Sequence, residues 1–78
     1  MKKVIINYEN TAKNLLKKMY EFSVNKYELR EIIGLKTCFK INKLISGKAI
    51  PSLKELIMLC DFFDIKANEL IDYFILGK

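Results

Sequence analysis

Residues 26–48 read KYELREIIGLKTCFKINKLISGK, two short amphipathic segments separated by a turn. Asn25 is placed to cap a helix that runs to Ile33, with Leu29, Ile32 and Ile33 facing inward. Gly34 ends it, because glycine takes the positive φ of a helix stop without strain. Thr37 is a good N-cap for a second helix over residues 38–45. At about 100° per residue, Ile41, Leu44 and Ile45 fall on one side of that helix. Phe39 and Lys43 then point directly away, flanked by Lys40 and Asn42, with Cys38 at the boundary and Ser46-Gly47 as the stop. Lys26, Arg30, Lys36, Lys40, Lys43 and Lys48 stand against only Glu28 and Glu31, and no acid follows Lys36 in the stretch. A compact helix pair with a cationic second helix, here residues 25–46, fits the major groove of DNA.

Outward from this core, KKVIINYE (residues 2–9) is a short apolar run with β-branched Val4, Ile5 and Ile6, read as an extended arm or strand. Asn7 or Asn10 then caps a helix over about residues 11–22. Its apolar positions Leu15, Leu16, Met19, Tyr20 and Phe22 follow helical spacing, with Lys13, Lys17 and Lys18 outside. On the other side, Ser52 and Glu55 form a capping box for a fourth helix that runs to Phe63, with Asp64 in the left-handed stop. A fifth helix begins near Ala67 and carries Leu70, Ile71 and Phe74. No repeat, low-complexity tract or linker interrupts the chain. The expectation is an all-α fold: one domain over residues 1–78, a compact five-helix bundle with a short N-terminal extended arm.

With 51% apolar residues in 78, one small core is within reach without metal or disulfide staples. There is no His, and Cys38 and Cys60 are isolated, so no metal site and no cofactor are expected. No nucleophile–base pair or glycine-rich phosphate loop can be assembled, which argues against an enzyme. The apolar runs are too short to span a bilayer and no secretory signal is visible, so a cytoplasmic protein acting at the nucleoid, with no membrane partner, is expected. The net charge of +5 is uneven: residues 55–72 hold Glu55, Asp61, Asp64, Glu69 and Asp72 against Lys66 alone. Such polarity suits one face for phosphate and another for protein.

Five segments, in order and at near-correct spacing, make the chain resemble the phage-repressor helix-turn-helix family of the Xre/Cro type. Leu16-Lys17-Lys18-Met19 sits like that family's first-helix LKKLR, and the segment ending Leu29-Arg30-Glu31-Ile32-Ile33-Gly34 sits like its second helix. TCFKINKLISGK, residues 37–48, is similar to the family's recognition-helix pattern; Ile50-Pro51-Ser52-Leu53 and Ala67-Asn68-Glu69-Leu70 match its later NPSL and LDEL segments. The similarity covers about residues 12–72. Three departures stand out. The turn is one residue longer than usual, with Lys36 as the extra residue; Arg30 replaces the small residue where the two helices cross; and Lys26 replaces a glutamine at the start of the second helix.

The resemblance implies base reading by the first residues and outer face of the third helix, here Cys38, Phe39, Asn42 and Lys43. Lys43 can donate to guanine O6 and N7, Asn42 can pair bidentately with adenine, and the Phe39 ring can touch a thymine methyl. The plainer alternatives are that Phe39 turns sideways onto the second helix and that Cys38 is a small packing residue. Lys26, Lys36, Thr37, Lys40 and Lys48 are the candidates for phosphate, against the ordinary fate of a surface lysine in water. Cys60 stands at a small apolar position and reads as core rather than as a redox thiol.

The fourth helix and the tail hold more apolar residues than one small interior takes. Met58, Phe62, Tyr73, Phe74, Ile75 and Leu76 are therefore candidates for a homodimer interface, the alternative being a tail that folds back on its own domain. A two-fold dimer would set two recognition helices on successive turns of double-stranded DNA. The function this points to is a sequence-specific regulator, a repressor in the manner the resemblance implies, with a phage or mobile-element setting. The competing reading is a helix-turn-helix interaction module with a protein partner, such as an antitoxin or small phage-encoded inhibitor.

Overall fold

The computed structural model describes residues 2–77. In chain order it comprises β1 (Lys2–Ile6), α1 (Tyr8–Glu21), α2 (Lys26–Ile32), α3 (Phe39–Ser46), α4 (Leu53–Phe63), α5 (Ala67–Leu70) and β2 (Tyr73–Gly77). The helix starts follow local chemistry. Asn7 accepts the Asn10 N–H at 2.9 Å, and Asn25 with Glu28 and Ser52 with Glu55 form complete capping boxes. α1 thus begins three residues earlier than the sequence suggested, because Asn7 rather than Asn10 caps it. Gly47 (φ 79°) and Asp64 (φ 54°) close α3 and α4 in the left-handed region.

Leu15 and Met19 of α1, Leu29 and Ile33 around α2, Ile41 and Leu44 of α3, Leu59 and Phe63 of α4, and Leu70 of α5 form one buried cluster. α3 packs against α1 and α2, and α4 against α2 and α5, so the helix pair 25–46 is held from behind. The buried face of α1 differs from the sequence reading. Thr11 and Ala12 join Leu15 and Met19 inside, whereas Leu16, Phe22 and above all Tyr20 (86%) remain exposed. Phe22 instead packs with Phe62 at the surface and with the edge of the core at Phe63, ring centres 5.0 to 5.9 Å apart.

The expected N-terminal extended arm is a strand, and the all-α expectation is corrected because that strand has a partner at the C-terminal end. β1 pairs antiparallel with β2, from Lys2 opposite Gly77 to Ile6 opposite Tyr73. The fifth helix is a single turn ending at Leu70; Ile71 is extended, and Phe74 lies in a strand rather than on a helix. The cause is a set of long-range hydrogen bonds. Asn7 N–H donates to the Asp72 carbonyl at 2.8 Å, and Asp72 N–H donates to the buried Thr11 hydroxyl at 3.0 Å. The Asn10 and Asn14 amides donate to the Asp72 carboxylate (2.9 Å) and the Leu70 carbonyl (3.0 Å). These bonds pin residues 70–72 to the start of α1, and the chain leaves them alongside β1. The tail therefore does fold back on its own domain, as a strand.

Candidate nucleic-acid interface

The turn between α2 and α3 sets the attitude of α3, and Arg30 organises it. The Arg30 carbonyl accepts the Leu35 N–H at 3.0 Å, while its guanidinium Nη1 donates to the Leu35 carbonyl at 3.0 Å. Gly34 supplies the positive φ (72°) that starts the turn. The long side chain thus braces the start of the turn at Leu35.

α3 begins at Phe39, one residue after the expected start. Cys38 occupies the cap position with no side-chain hydrogen bond, and the Thr37 hydroxyl accepts the Phe39 N–H only at 3.4 Å. Thr37 is exposed; Cys38 is half-buried. Ile41 and Leu44 are buried and Ile45 half-buried, so the opposite face of α3 looks outward. Phe39 is 69% exposed there, and the Lys43 ammonium lies 4.5 Å from the ring centre. That cation–π contact lets an exposed aromatic and an exposed cation order each other.

Phe39, Asn42, Lys43, Ser46 and Lys48 line one shallow, open depression. Three of the four candidate base readers meet there, and Cys38 does not line it. Ser46 was missed in the sequence, where it served only as a stop signal. It is exposed, one turn beyond Asn42 and Lys43, and its hydroxyl donates to the Lys43 carbonyl at 3.2 Å. Helical spacing from Asn42 was the signal that would have found it.

The candidate phosphate lysines differ in their surroundings. Lys36 and Lys48 are exposed and enter no ion pair among the described residues. Lys26 is half-buried with its ammonium 5.4 Å from the Tyr27 ring centre. Lys40 is different: its ammonium lies 3.3 Å from Glu55, whose side chain is largely buried. Burial pushes the Glu55 pKa up, but the Ser52 N–H, the Lys40 ammonium and the Ser52 hydroxyl together outweigh it and hold the carboxyl below the ordinary range. Cys60 is half-buried, and burial reinforced by the charge of Glu69 raises its thiol pKa, the opposite of an activated cysteine.

Of the six candidate interface residues, Met58 is half-buried against the core and Phe62 sits in the aromatic cluster on α4. Tyr73, Phe74, Ile75 and Leu76 lie together on β2, each about half exposed. Among the described residues no helix is long and apolar enough to cross a membrane, and no group of three or more His, Cys, Asp or Glu could hold a metal ion.

The comparisons agree with this geometry. The Cro/C1-type helix-turn-helix DNA-binding domain matches over residues 14–74. Comparison with curated proteins gives no match. Among solved structures, the restriction-modification controller protein C.AhdI from Aeromonas hydrophila is similar, with a TM-score of 0.70 at 19% identity, covering 81% of this chain and 94% of that one. That likeness is one of fold. With the family match spanning α1 to β2 and the outward face of α3 carrying the cations, the chain belongs to the Cro/C1-type helix-turn-helix family of DNA-binding domains.

Proposed function

We propose that this protein is a sequence-specific repressor of transcription that binds an inverted-repeat operator as a homodimer in the cytoplasm. The observation that carries the reading is the single outward face of α3 on which Phe39, Asn42 and Lys43 stand exposed, with Lys48 beside them. Asn42 and Lys43 would supply hydrogen bonds to adenine and guanine edges, and Phe39 a contact to a thymine methyl. Lys36 and Lys48, with Lys26, Thr37 and the ion-paired Lys40, would hold phosphates and set register. The name controller, borne by a protein of the same fold, is consistent with a regulatory role. The test is a salt-titrated selection against random duplex DNA. Enrichment of an inverted repeat is expected, with a log–log salt slope of order −5 to −9 if about six to ten phosphates are neutralised. A slope near zero would sink the reading.

A second reading is favoured by one observation, the 69% exposure of an aromatic side chain on the reading face. Exposed aromatics anchor protein interfaces as well as DNA, so a helix-turn-helix interaction module with a protein partner would also use Phe39. Alanine at Phe39 and Lys43 separates the two: loss of DNA binding supports the repressor, and loss of partner binding alone supports the module.

A further inference from the structure

Lys40 is the second residue of α3 and follows the exposed Phe39 at the start of the reading face. Its ammonium lies 3.3 Å from Oε1 of Glu55, the two side chains being 34% and 12% exposed. Glu55 is not a loose surface carboxylate. It is the third residue of α4, and the Ser52 N–H donates to the same oxygen at 2.8 Å. The Ser52 hydroxyl in turn accepts the Glu55 N–H at 3.3 Å. The first turn of a helix favours a negative charge at that point. The capping box therefore fixes the carboxylate independently of Lys40.

A backbone N–H at a helix start and a lysine ammonium are also the donors that hold DNA phosphates. From this we infer that Glu55 is an internal competitor of phosphate: it occupies Lys40 and lowers the affinity of the protein for DNA of any sequence. The inference rests on the DNA-binding reading above and adds to it a positioning residue that itself touches no DNA.

The balance of contacts carries the assignment. To serve a phosphate, Lys40 must leave Glu55 and exchange one charge-assisted bond for another of the same kind. Left behind is a mostly buried carboxylate without its counter-charge, an unfavourable state. Where the ammonium bridges both anions, Glu55 still cancels its charge at the phosphate. On either route little net neutralisation is gained, whereas an unpaired lysine neutralises one phosphate and contributes about 0.9 to the salt slope. Lys36 and Lys48 enter no ion pair among the described residues, and the Lys43 ammonium lies over the Phe39 ring. Glu55 thus acts on one cation per copy. Non-operator DNA competes through this sequence-independent attraction, so withholding a cation reduces the share of protein captured there.

Fluorescence anisotropy of a short DNA duplex of arbitrary sequence, titrated across salt with the full natural chain, E55Q, K40M and E55Q/K40M, tests the assignment. E55Q keeps an oxygen for the Ser52 N–H and gives up the charge. At low salt E55Q should bind at least about threefold more tightly than the natural chain, with a salt slope steeper by about 0.9 for each copy bound. In the K40M background the E55Q change should bring no such gain, which is the coupling expected of a contacting pair. A gain that persists in full without Lys40 would make Glu55 a bulk repulsive charge and overturn the inference. E55Q binding no more tightly than the natural chain overturns it as well, because Glu55 would then be orienting Lys40 toward phosphate. If circular dichroism shows that E55Q does not fold, K40M is compared with K36M: a smaller loss for K40M supports the competitor role, and equal losses overturn it. A natural chain that binds no duplex even at low salt would remove the DNA-binding reading and this inference with it, a failure visible before any variant is made.

Discussion

The ammonium of Lys40 lies 3.3 Å from Oε1 of Glu55, and the same oxygen accepts the Ser52 backbone N–H at 2.8 Å. One carboxylate therefore caps α4 and ties it to the second residue of α3. Glu55 keeps 9% of its surface exposed, and a charge so placed is tolerated only because both partners are present.

Replacing Glu55 tests that coupling. E55Q keeps an acceptor for the Ser52 N–H and should cost about 1 kcal/mol, whereas E55A removes cap and ion pair together and should cost about 2 kcal/mol. The folded pKa of Glu55 lies below its unfolded value. Its contribution is thus fully present above the unfolded value, about 4.3, and is lost as pH falls through the lower folded value. Urea denaturation of the natural chain and E55Q from pH 7 downward should show the difference between them shrinking on the acid limb. A constant difference would mean that the Glu55 charge contributes nothing.

The same contact makes the lysines unequal toward DNA. K36A and K48A should each reduce the magnitude of the salt slope by about 2, one phosphate contact being lost from each copy of the dimer. K40A should reduce it by less, because its ammonium already faces a carboxylate in the free protein. Fluorescence anisotropy against salt checks the ranking, and equal effects from all three would show that Lys40 leaves Glu55 on binding.

Phe39 and Lys43 separate stability from recognition. F39A should change folding stability by no more than about 0.5 kcal/mol, since most of the ring is in water. K43A should cost about 1–3 kcal/mol in DNA binding and relax specificity at one base pair. If the 4.5 Å cation–π contact orders the lysine, F39A should relax specificity at that same base pair. Selection with each variant gives the answer.

Arg30 should matter more than a half-exposed arginine usually does. R30A leaves the Leu35 carbonyl without its guanidinium donor and frees the turn before α3. A loss of about 1–2 kcal/mol in stability is expected, together with weaker DNA binding through a less fixed recognition helix. R30K should rescue only part of it, because a single ammonium does not reproduce the planar guanidinium.

Much of the helical framework was legible in the sequence because its signals are local. Asn25 with Glu28, Ser52 with Glu55, and the stops at Gly47 and Asp64 act within one turn of the chain. The inward set Leu29, Ile33, Ile41 and Leu44 follows from periodicity alone, and so does the outward placement of Phe39, Asn42 and Lys43. Periodicity was less informative on α1, where Tyr20 has the spacing of a core residue and lies in water.

The sequence by itself determined the helix-turn-helix core and the face it presents, because caps, glycine stops and hydrophobic period are properties of neighbouring residues. Tertiary structure decided the rest. Tyr-Phe-Ile-Leu is equally apolar as helix or strand, and only the bonds from Asn7, Asn10, Thr11 and Asn14 to residues 70–72 place it beside β1 as a strand. Likewise nothing near Lys40 in the chain announces that its charge faces Glu55, fifteen positions on. Both outcomes depend on groups far apart in sequence meeting at exposed or partly buried positions, where a set of hydrogen bonds or an ion pair outweighs local preference.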